Sequence, residues 1–407
     1  MKIRSITYFC NPGWPINDWI IEQAGKFLAA AKADYQAAGY EVESTRLATV
    51  PFLQILGADR IAETPRLAEK MAEEIHSVGI DYAALGPAQP EVLESFEVIP
   101  EAIAGAQNIF FSGVMADARF GISIPALQAC AQVIQRCATI TPDGFANLRF
   151  AALANVKPGS PFLPAAYHNQ DEPAFSIATE AADLAVNAFS NARTITDSQW
   201  MLASEIEKRA RELALVGDKL NHRFLIVFGG IDFSLAPFPT EAVSIGAAME
   251  RMGVPKAGLH GSLAAAAILT EIIERAHFPG TGFSGLMLPV LEDAVLARRA
   301  AEGCLTVKDL LLYSAVCGTG LDTVPLPGNT SSDQMAALLL DVSALALRLD
   351  KPLTARLMPI PGKSAGDPTN FDFDYFVNSR VMALEAEPLK APMTETRRFT
   401  LAPRHTH

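Results

Sequence analysis

Residues 224–239, FLIVFGGIDFSLAPFP, begin with an apolar run of β-branched and aromatic residues that ends at Gly229-Gly230 and is followed by Asp232 and Ser234. Such a run predicts a buried strand, and the glycines and prolines after it predict a loop. Outward from this stretch, short apolar runs alternate with longer amphipathic segments rich in Ala, Leu and Glu. This alternation is typical of α/β construction.

The same pattern predicts the other elements and the domain organisation. Strands are predicted at 3–9, 109–114, 150–156, 224–229, 286–291 and 355–360. Helices are predicted at 18–38, 65–78, 125–138, 177–190, 197–216, 240–252, 262–276, 307–315 and 332–349. The Pro- and Gly-rich stretches between them are short enough to be loops. We therefore predict one large α/β domain over residues 1–382 and a C-terminal arm or poorly ordered tail over residues 383–407.

The composition excludes several classes of protein. Of the 407 residues, 50% are hydrophobic and 19% are charged, which excludes intrinsic disorder. The net charge of −12 opposes binding to a phosphate backbone, so we exclude nucleic acid as a partner. No apolar run reaches the roughly 18 residues needed to span a bilayer, so we expect no membrane partner.

Cysteine usage and charge content bear on location and assembly. The five cysteines lack paired metal-ligand spacing, and the chain begins without a signal-type segment, which together predict a cytoplasmic protein. A chain of this length with so few charges has apolar surface to cover, which predicts a homo-oligomer.

Two glycine motifs resemble nucleotide-binding sequences, but the residues around them do not match those of a nucleotide site. Gly280, Gly282 and Gly285 have G-x-G-x-x-G spacing, yet they follow a helical segment and precede an apolar run. A dinucleotide site follows a strand and opens a helix. Residues 362–364, Gly-Lys-Ser, resemble the end of a phosphate-binding loop, but Leu357 stands where its first glycine is needed. We therefore expect no nicotinamide or flavin cofactor.

Asp232 and Ser234 are the first candidates for chemistry. They lie just beyond the predicted strand at 224–229, where α/β proteins place their ligand crevice. Asp232 is a candidate base or metal ligand, and Ser234 is a candidate substrate contact. The alternative is that Asp232 caps a turn, because Asp is a common turn residue.

His260 and Ser262 form the second candidate group. Ser262 is placed to cap the predicted helix 262–276, whose start can bind an anion. His260 would then lie beside that anion as a general acid or base. The alternative for His260 is a partly buried side chain bonded to a carbonyl.

Glu292 and Asp293 follow the apolar run 286–291 and can supply oxygen ligands to a divalent cation. With Asp232 they would make a metal site for Mg²⁺ or Ca²⁺, the one cofactor that the candidate residues admit. Adjacent carboxylates at the start of a helix are also favoured by the helix dipole alone. A structural role for the pair is therefore the alternative.

Four further residues complete the candidate set. Cys317 and Asp322 lie in the glycine-rich loop CGTGLD. Cys317 is a candidate thiolate nucleophile, and Asp322 is a candidate carboxylate that polarises a neighbouring group. The alternative for Cys317 is a buried structural role, because free cysteine is commonly buried. Arg356 emerges on a predicted strand and can bind a carboxylate or phosphate with its planar fork, or form an internal ion pair. His168 follows a proline-rich loop and is a candidate substrate contact. Together these residues suggest a site for a small anionic molecule.

Several of these motifs together resemble the domain-of-unknown-function family 711, also called uncharacterised protein family 0210. The motifs that carry the resemblance are FGGIDFSLAP at 228–237, LHGS at 259–262, FSG at 283–285, LPVLED at 288–293 and CGTGLD at 317–322. The similarity begins with IRSIT at 3–7 and extends over most of the chain.

The resemblance implies the fold of the pyruvate formate-lyase-like glycyl radical enzymes, an α/β barrel of about ten strands with helices outside, although a fold does not fix a reaction. It does not imply radical chemistry. A glycyl radical enzyme needs an Arg-Val-x-Gly-aromatic segment near its C-terminus, and residues 380–384 are Arg-Val-Met-Ala-Leu, without the glycine.

The first functional hypothesis is a non-radical enzyme that acts on a small anionic metabolite as a hydrolase, lyase or isomerase. Asp232 and His260 would be its acid/base groups, Cys317 its nucleophile, and Ser262 and Arg356 its anion contacts. A second version of this enzyme uses the divalent cation. The competing hypothesis is a non-catalytic binding or sensor protein that encloses the same ligand.

Overall fold

A mixed β-sheet organises the computed structural model of this chain, which describes residues 1–170 and 172–404. The strands in these two ranges are β1 (Lys2–Cys10), β2 (Val42–Thr49), β3 (Tyr82–Ala88), β4 (Ile109–Asp117), β5 (Gly121–Ser123), β6 (Phe150–Ala154), β7 (Ala174–Glu180), β8 (Val227–Asp232), β9 (Gly320–Pro327), β10 (Leu353–Ile360) and β11 (Arg398–Phe399).

The α-helices alternate with the strands along the chain. They are α1 (Asp18–Ala37), α2 (Phe52–Leu56), α3 (Thr64–Ser77), α4 (Glu94–Glu97), α5 (Ile99–Gly105), α6 (Ile124–Cys137), α7 (Ala182–Asn191), α8 (Ile195–Phe224), α9 (Ile245–Arg251), α10 (Ser262–Arg275), α11 (Ala294–Ala301), α12 (Val307–Tyr313) and α13 (Ser332–Arg348). Short 3-10 helices lie at Ala58–Glu63, Phe145–Arg149 and Glu241–Val243.

The strand order in the sheet is β8-β7-β1-β2-β3-β4-β6-β10-β9, and β5 joins β4 to β11. Strands β1, β2, β3, β4 and β6 run parallel. Strand β7 is antiparallel to β1 and parallel to β8. Consequently, the edge of the sheet at which β1, β2, β3, β4 and β6 begin is also the edge at which β7 and β8 end.

The two faces of the sheet are covered differently. The face that carries Ile6 and Tyr8 packs against helices, and Phe27 of α1 lies in the same core cluster. On the opposite face, Phe9 packs against Leu163, which belongs to the loop between β6 and β7. The Thr7 hydroxyl donates to the carbonyl of Pro161 in that loop at 3.3 Å. A buried loop with hydrogen-bonded backbone therefore fills the face away from the helices.

The predicted α/β single domain is confirmed, but the predicted closed barrel is not, because the ladder of paired strands is open between β8 and β9. Residues 286–291, predicted as a strand, make only isolated bridges on either side, Leu286 with Leu235 and Pro289 with Asp322. Pro289 has no backbone N–H, so it cannot continue a ladder of hydrogen bonds.

Element boundaries differ from the prediction around residue 224. Helix α8 runs on to Phe224 and ends at Leu225, whose φ of +57° is left-handed, so the next strand begins only at Val227. The predicted helix 177–190 is wrong at its start, because residues 177–180 complete strand β7. The predicted strands at 3–9, 109–114, 150–156 and 355–360 are confirmed within a few residues.

The C-terminal segment lies along the surface of the domain. Strand β11 pairs with β5, and the Arg404 amide donates to the carbonyl of Arg348 at 2.9 Å. The last part of the predicted tail, residues 405–407, lies outside the described residues. In the described chain, none of the helices combines the length and the apolar character that a membrane crossing requires.

Candidate functional site

A cavity of about 310 Å³ lies at the edge of the sheet where β1, β2, β3, β4 and β6 begin. Its charged lining residues are Arg4 from β1, Glu43 and Arg46 from β2, Asp81 before β3, Arg149 before β6, Arg356 from β10, and Glu292 from the turn before α11. Aromatic side chains line much of the remainder, namely Tyr82, Phe110, Phe145, Phe162, Phe373 and Tyr375. The cavity therefore combines apolar walls with a few charged groups, as small-molecule sites do.

Irregular strand pairing lies at two of these arginines. Between Ile3 and Ser5, β1 advances by two residues while β7 advances by one, so Arg4 is the extra residue of a bulge. Arg356 lies in a second irregularity, between Ala355 and Leu357 of β10. Bulges re-aim side chains and are frequent beside functional sites.

Four charged side chains form a buried network at one wall of the cavity. Glu292 binds Arg4 through one carboxylate oxygen and Arg356 through the other, the latter at 2.8 Å. Arg356 also binds Asp322 at 2.5 Å through Nε. The four partners come from β1, β9, β10 and the turn before α11. This network therefore ties together segments that are far apart in the sequence.

The protonation states in this network follow from its charges. Burial opposes ionisation of Glu292, but Arg4 and Arg356 outweigh it and hold the pKa of the carboxyl below its usual range. Burial likewise opposes the charge on Arg4, and attraction to Glu292 raises its pKa above the ordinary value. Both partners are consequently ionised at neutral pH.

Arg46 differs from Arg4 and Arg356 because it has no carboxylate partner among the described residues. Arg149, which also lines the cavity, has no such partner either, but its Nη1 donates to two backbone carbonyls. Its Nε donates to the Ser44 hydroxyl at 2.9 Å, and Ser44 in turn donates to the carbonyl of Arg4 at 2.8 Å. Within the described chain, no Asp or Glu oxygen lies within 4 Å of the Arg46 guanidinium, and its Nη atoms donate no hydrogen bond to the protein. Burial, together with repulsion from Arg4, lowers the pKa of Arg46 to about 10, so it is still charged at neutral pH.

Glu43 and Glu180 form a pair of buried carboxyl groups beside the cavity. Glu180 is the last residue of β7, and its carboxyl lies close enough to that of Glu43 for the two to interact electrostatically. Burial and the nearby charge of Glu43 raise the pKa of Glu180 to about 8. A carboxylate next to another negative charge ionises less easily, so Glu180 is largely protonated at neutral pH.

The raised pKa of Glu180 predicts a pH-dependent stability. Because the folded state favours protonated Glu180, its stabilising contribution is complete below the ordinary pKa of 4.5 and is lost as the pH rises to about 8. The Glu180→Gln variant should match the parent near pH 5 and melt higher than the parent near pH 9, by on the order of 2 °C or more. Thermal denaturation of both proteins across this range checks the prediction.

The control for this prediction is Glu73→Gln on the exposed surface of α3, where the side chain is 71% exposed. This variant should track the parent at every pH. An equal gap between Glu180→Gln and the parent at both ends of the range would contradict the raised pKa.

Asp232 and Ser234 lie next to this region but do not line the cavity. Fully buried Asp232 accepts hydrogen bonds from the Ser234 hydroxyl at 2.5 Å and from the amides of Phe283 and Ser284 at 3.0 and 2.9 Å. Burial raises the pKa of Asp232, and these hydrogen bonds oppose the rise. Gly282 has a φ of +63°, and a Cβ there would lie 2.3 Å from Asp232. The carboxylate therefore fixes the loop at 282–285, as the turn alternative for Asp232 anticipated.

His260 and Ser262 do not reach the cavity. His260 is exposed, and Gly261 rather than Ser262 is the N-cap of α10. Ser262 is buried, and its hydroxyl accepts from the Gly258 amide at 2.9 Å. The structure thus gives Ser262 a local role at the start of the helix.

Cys317 and His168 are buried and also lie outside the cavity lining. The Cys317 sulfur accepts from the Gly320 amide at 3.4 Å, and its carbonyl accepts from the ammonium of Lys351. His168 Nε2 lies 3.0 Å from the carbonyl of Glu172.

The predicted metal ligands are not gathered in one place. Asp232 holds the loop at 282–285, Glu292 binds two arginines, and Asp293 accepts hydrogen bonds at the starts of α9 and α11. Across the described ranges, no three His, Cys, Asp or Glu side chains lie close enough together to hold a metal ion. These residues do not fit the divalent cation expected from the sequence.

Among the sequence candidates, Arg356, Asp322 and Glu292 are brought together at the cavity wall, and Asp232 and Ser234 are brought together at the loop 282–285. Sequence reasoning missed Arg4, Glu43, Arg46 and Glu180 as site residues. The available signal was a charged side chain inside a strand that is otherwise buried, as at Arg4 in IRSIT and Arg46 in VESTRLAT. Charged residues are rarely buried unless they are paired or functional.

Comparisons with known proteins agree with the resemblance seen in the sequence. A family model described as "Uncharacterised ACR (DUF711)" matches residues 1–378. A UPF0210 protein of Methanopyrus kandleri is 31% identical over 378 residues, which is 86% of this chain and 82% of the relative. A UPF0210 protein of Ruminiclostridium cellulolyticum is 28% identical, over 91% of this chain and 88% of the relative. A UPF0210 protein of Neisseria meningitidis serogroup C is 28% identical, over 86% and 81% respectively.

Proposed function

We propose that this chain, which belongs to the DUF711 family, is a non-radical enzyme that binds a small organic carboxylate at Arg46 and acts on it by acid/base chemistry. One observation carries the proposal. A charged guanidinium borders a cavity of about 310 Å³ and has neither a carboxylate partner nor a protein acceptor for its Nη atoms within the described residues.

A carboxylate fits Arg46 better than a phosphate does. The guanidinium fork matches the two oxygens of a carboxylate and forms charge-assisted hydrogen bonds with them. A phosphate dianion would add a second charge next to Glu43 and the ionised Glu292, both of which line the cavity. Like charges at short range are unfavourable in a low-dielectric site, so a monoanion is favoured.

The rest of the ligand is apolar and small. The cavity is at the lower end of the size range of ligand sites. The rings of Phe162 and Phe373 border it, and the Arg356 guanidinium lies 5.7 Å from the ring centre of Phe162. Burial of an apolar body between these rings supplies affinity that a single ion pair does not.

An enzyme is favoured over a sensor because a carboxyl group with a raised pKa lies behind the cavity wall, close to the binding group. Glu43 lines the cavity, and Glu180 behind it has a pKa raised to about 8. Carboxyl groups with a pKa near neutrality, set by burial and a like charge, are typical of acid/base sites. We place the chemistry here rather than at His260 or Cys317, since neither lines the cavity.

The proposal predicts that Arg46→Gln loses carboxylate binding. With 3-phenylpropionate as the probe, the parent protein should bind and the variant should bind about 10–100-fold more weakly, because a charge-assisted hydrogen bond is lost. Isothermal titration calorimetry measures the difference. Arg46→Lys keeps the charge but not the fork, so its affinity should fall between the two.

The matched control is Arg136→Gln on α6, whose guanidinium is exposed and donates to a backbone carbonyl away from the cavity. This variant should bind the probe as the parent does. Equal binding by the Arg46→Gln variant and the parent would refute the proposed function. Mass spectrometry of the recovered ligand then separates catalysis, which yields a product, from sensing, which does not.

A further inference from the structure

We infer that Glu43 and Glu180 are the acid/base pair of this cavity and that the ligand is a hydroxy- or amino-carboxylate whose hydrogen-bond donor meets Glu43. The inference deepens the proposed function and rests on it. It names the group that exchanges a proton with the ligand, and it narrows the ligand from any small carboxylate to one with a donor.

The bonding state of Glu43 is the first observation. Its side chain is 8% exposed and lines the cavity. Its Oε1 is buried and accepts no hydrogen bond from the described protein, and the nearest cation, Lys2 Nζ, lies 4.0 Å away. A carboxylate in a cavity wall without a hydrogen-bond donor is costly, so the Glu43 carboxylate offers an acceptor position to a donor of the ligand.

The position of Arg46 is the second observation. Glu43 and Arg46 are three residues apart on β2, so their Cα atoms are about 10 Å apart along the strand. Both side chains border the same cavity and are long enough to converge on one small molecule. Arg46 offers unused donors and Glu43 offers an unused acceptor. A ligand that carries a carboxylate and, close to it, a hydroxyl or an ammonium group satisfies both.

The charges around Glu180 explain why it holds a proton at neutral pH. Burial and the nearby Glu43 raise the pKa of Glu180, while Arg4 and Lys2 from β1 oppose the rise. Lys2 is partly neutralised by Glu41, which it contacts at 3.0 Å. Arg4 is bound to Glu292, and Tyr375 also faces the pair. Glu180 is therefore the member of the pair that carries a proton.

This arrangement supplies a simple proton-transfer step. The ligand group that meets Glu43 gives up its proton, the electron pair of the broken bond stays on the ligand, and the proton moves to Glu43. Glu180 keeps its own proton, and the return of the transferred proton from Glu43 to ligand or solvent restores the pair. Arg46 holds the ligand carboxylate throughout.

Three matched probes test the inference, namely 3-phenylpropionate, 3-phenyllactate and phenylalanine. They share the ring and the carboxylate and differ in carrying no donor, a hydroxyl or an ammonium group. The parent protein should bind phenyllactate or phenylalanine at least about tenfold more tightly than phenylpropionate. Whichever of the two binds more tightly identifies the donor. Glu43→Leu should abolish this preference while the affinity for phenylpropionate is retained.

The pH profile is a second readout that a structural role for the pair would not change. Ionisation of Glu180 adds a negative charge beside the ligand, so the affinity of the parent for the two probes without an ammonium group, phenylpropionate and phenyllactate, should fall as the pH rises through about 8. Glu180→Gln should bind these two probes with a flat profile over the same range. Thermal denaturation shows whether Glu43→Leu folds. If it does not, the probe comparison is made with Glu43→Gln, which keeps the shape of the side chain.

The outcomes separate the inference from the proposed function. If the three probes bind equally and Arg46→Gln weakens all of them, the function stands and the inference is overturned. A pH profile that is the same in Glu180→Gln as in the parent also overturns the inference. If none of the probes binds the parent protein, both are overturned.

Discussion

Replacement of Asp293 by alanine should lower the free energy of unfolding by about 5 kcal/mol, which is at the upper end of the range for single substitutions. The Asp293 carboxylate is fully buried and receives five hydrogen bonds. Its donors are the Ser244 hydroxyl and the amides of Ile245, Gly246, Val295 and Leu296. Four of them are amides in the first turns of α9 and α11, which have no partner within their own helices. The variant leaves all five buried donors unsatisfied.

Urea denaturation of the parent and the Asp293→Ala variant, followed by circular dichroism, measures the loss. The control is Asp309→Ala, since Asp309 belongs to an exposed capping box with Thr306 at the start of α12. Loss of an exposed cap costs only about 0.5–2 kcal/mol. If the two variants lost equal stability, the role of Asp293 would not be to cap the first turns of both α9 and α11. A parent protein destabilised by a metal chelator would point back to the metal role expected from the sequence.

Much of the fold could be predicted from the sequence because the period of apolar residues reports local geometry. Strand β1 and helix α13, for example, lie within one or two residues of the predicted positions. The pattern failed at 286–291, which is apolar because it is buried between β8 and β9, yet forms no ladder. Burial and strand pairing leave the same apolar signature in a short run, so the sequence alone could not separate them.

The candidate site was less predictable because its parts come from distant segments. Arg4 and Glu292 are 288 residues apart and meet through a bulge that no local pattern encodes. The sequence did single out Glu292, Asp322 and Arg356, and it left a structural role open for Glu292 and an internal ion pair open for Arg356. It ranked His260 as an acid/base group on its neighbouring glycines, yet that side chain is exposed. Glycine-rich loops at helix starts are common structural features, so they identify a site only together with a cavity.

The sequence could not show what the Asp232 carboxylate contacts. A carboxylate after a strand can face the ligand crevice or bind the backbone of the next loop, and both uses favour the same residue type. Only the positions of the Phe283 and Ser284 amides show which use applies here. The residue type thus predicted a hydrogen-bonded carboxylate but not its partner.

Replacement of Glu292 by glutamine should lower the free energy of unfolding by about 3–5 kcal/mol. The side chain is nearly fully buried, and it binds Arg4 and Arg356 through separate oxygens. Glutamine has the same shape but no charge, so two buried guanidinium groups lose their common counter-ion while Asp322 remains bound only to Arg356. Urea denaturation measures the change. The matched control is Glu91→Gln in the surface pair with Arg398, which should change stability by no more than about 1 kcal/mol.

The double variant Glu292→Gln/Arg4→Gln tests whether charge balance, rather than packing, accounts for this loss. It removes one charge of each sign and leaves the Arg356–Asp322 pair intact, so it should be less destabilised than the sum of the two single variants. Additive losses would show that Glu292 and Arg4 are not energetically coupled.

Because Glu292 also borders the cavity, its neutralisation removes a negative charge from the site of the proposed ligand carboxylate. The Glu292→Gln variant should therefore bind 3-phenylpropionate at least as tightly as the parent while it unfolds more easily, since the bound anion replaces the missing counter-ion of the arginines. A variant that lost both stability and binding would instead mean that Glu292 mainly maintains the shape of the cavity.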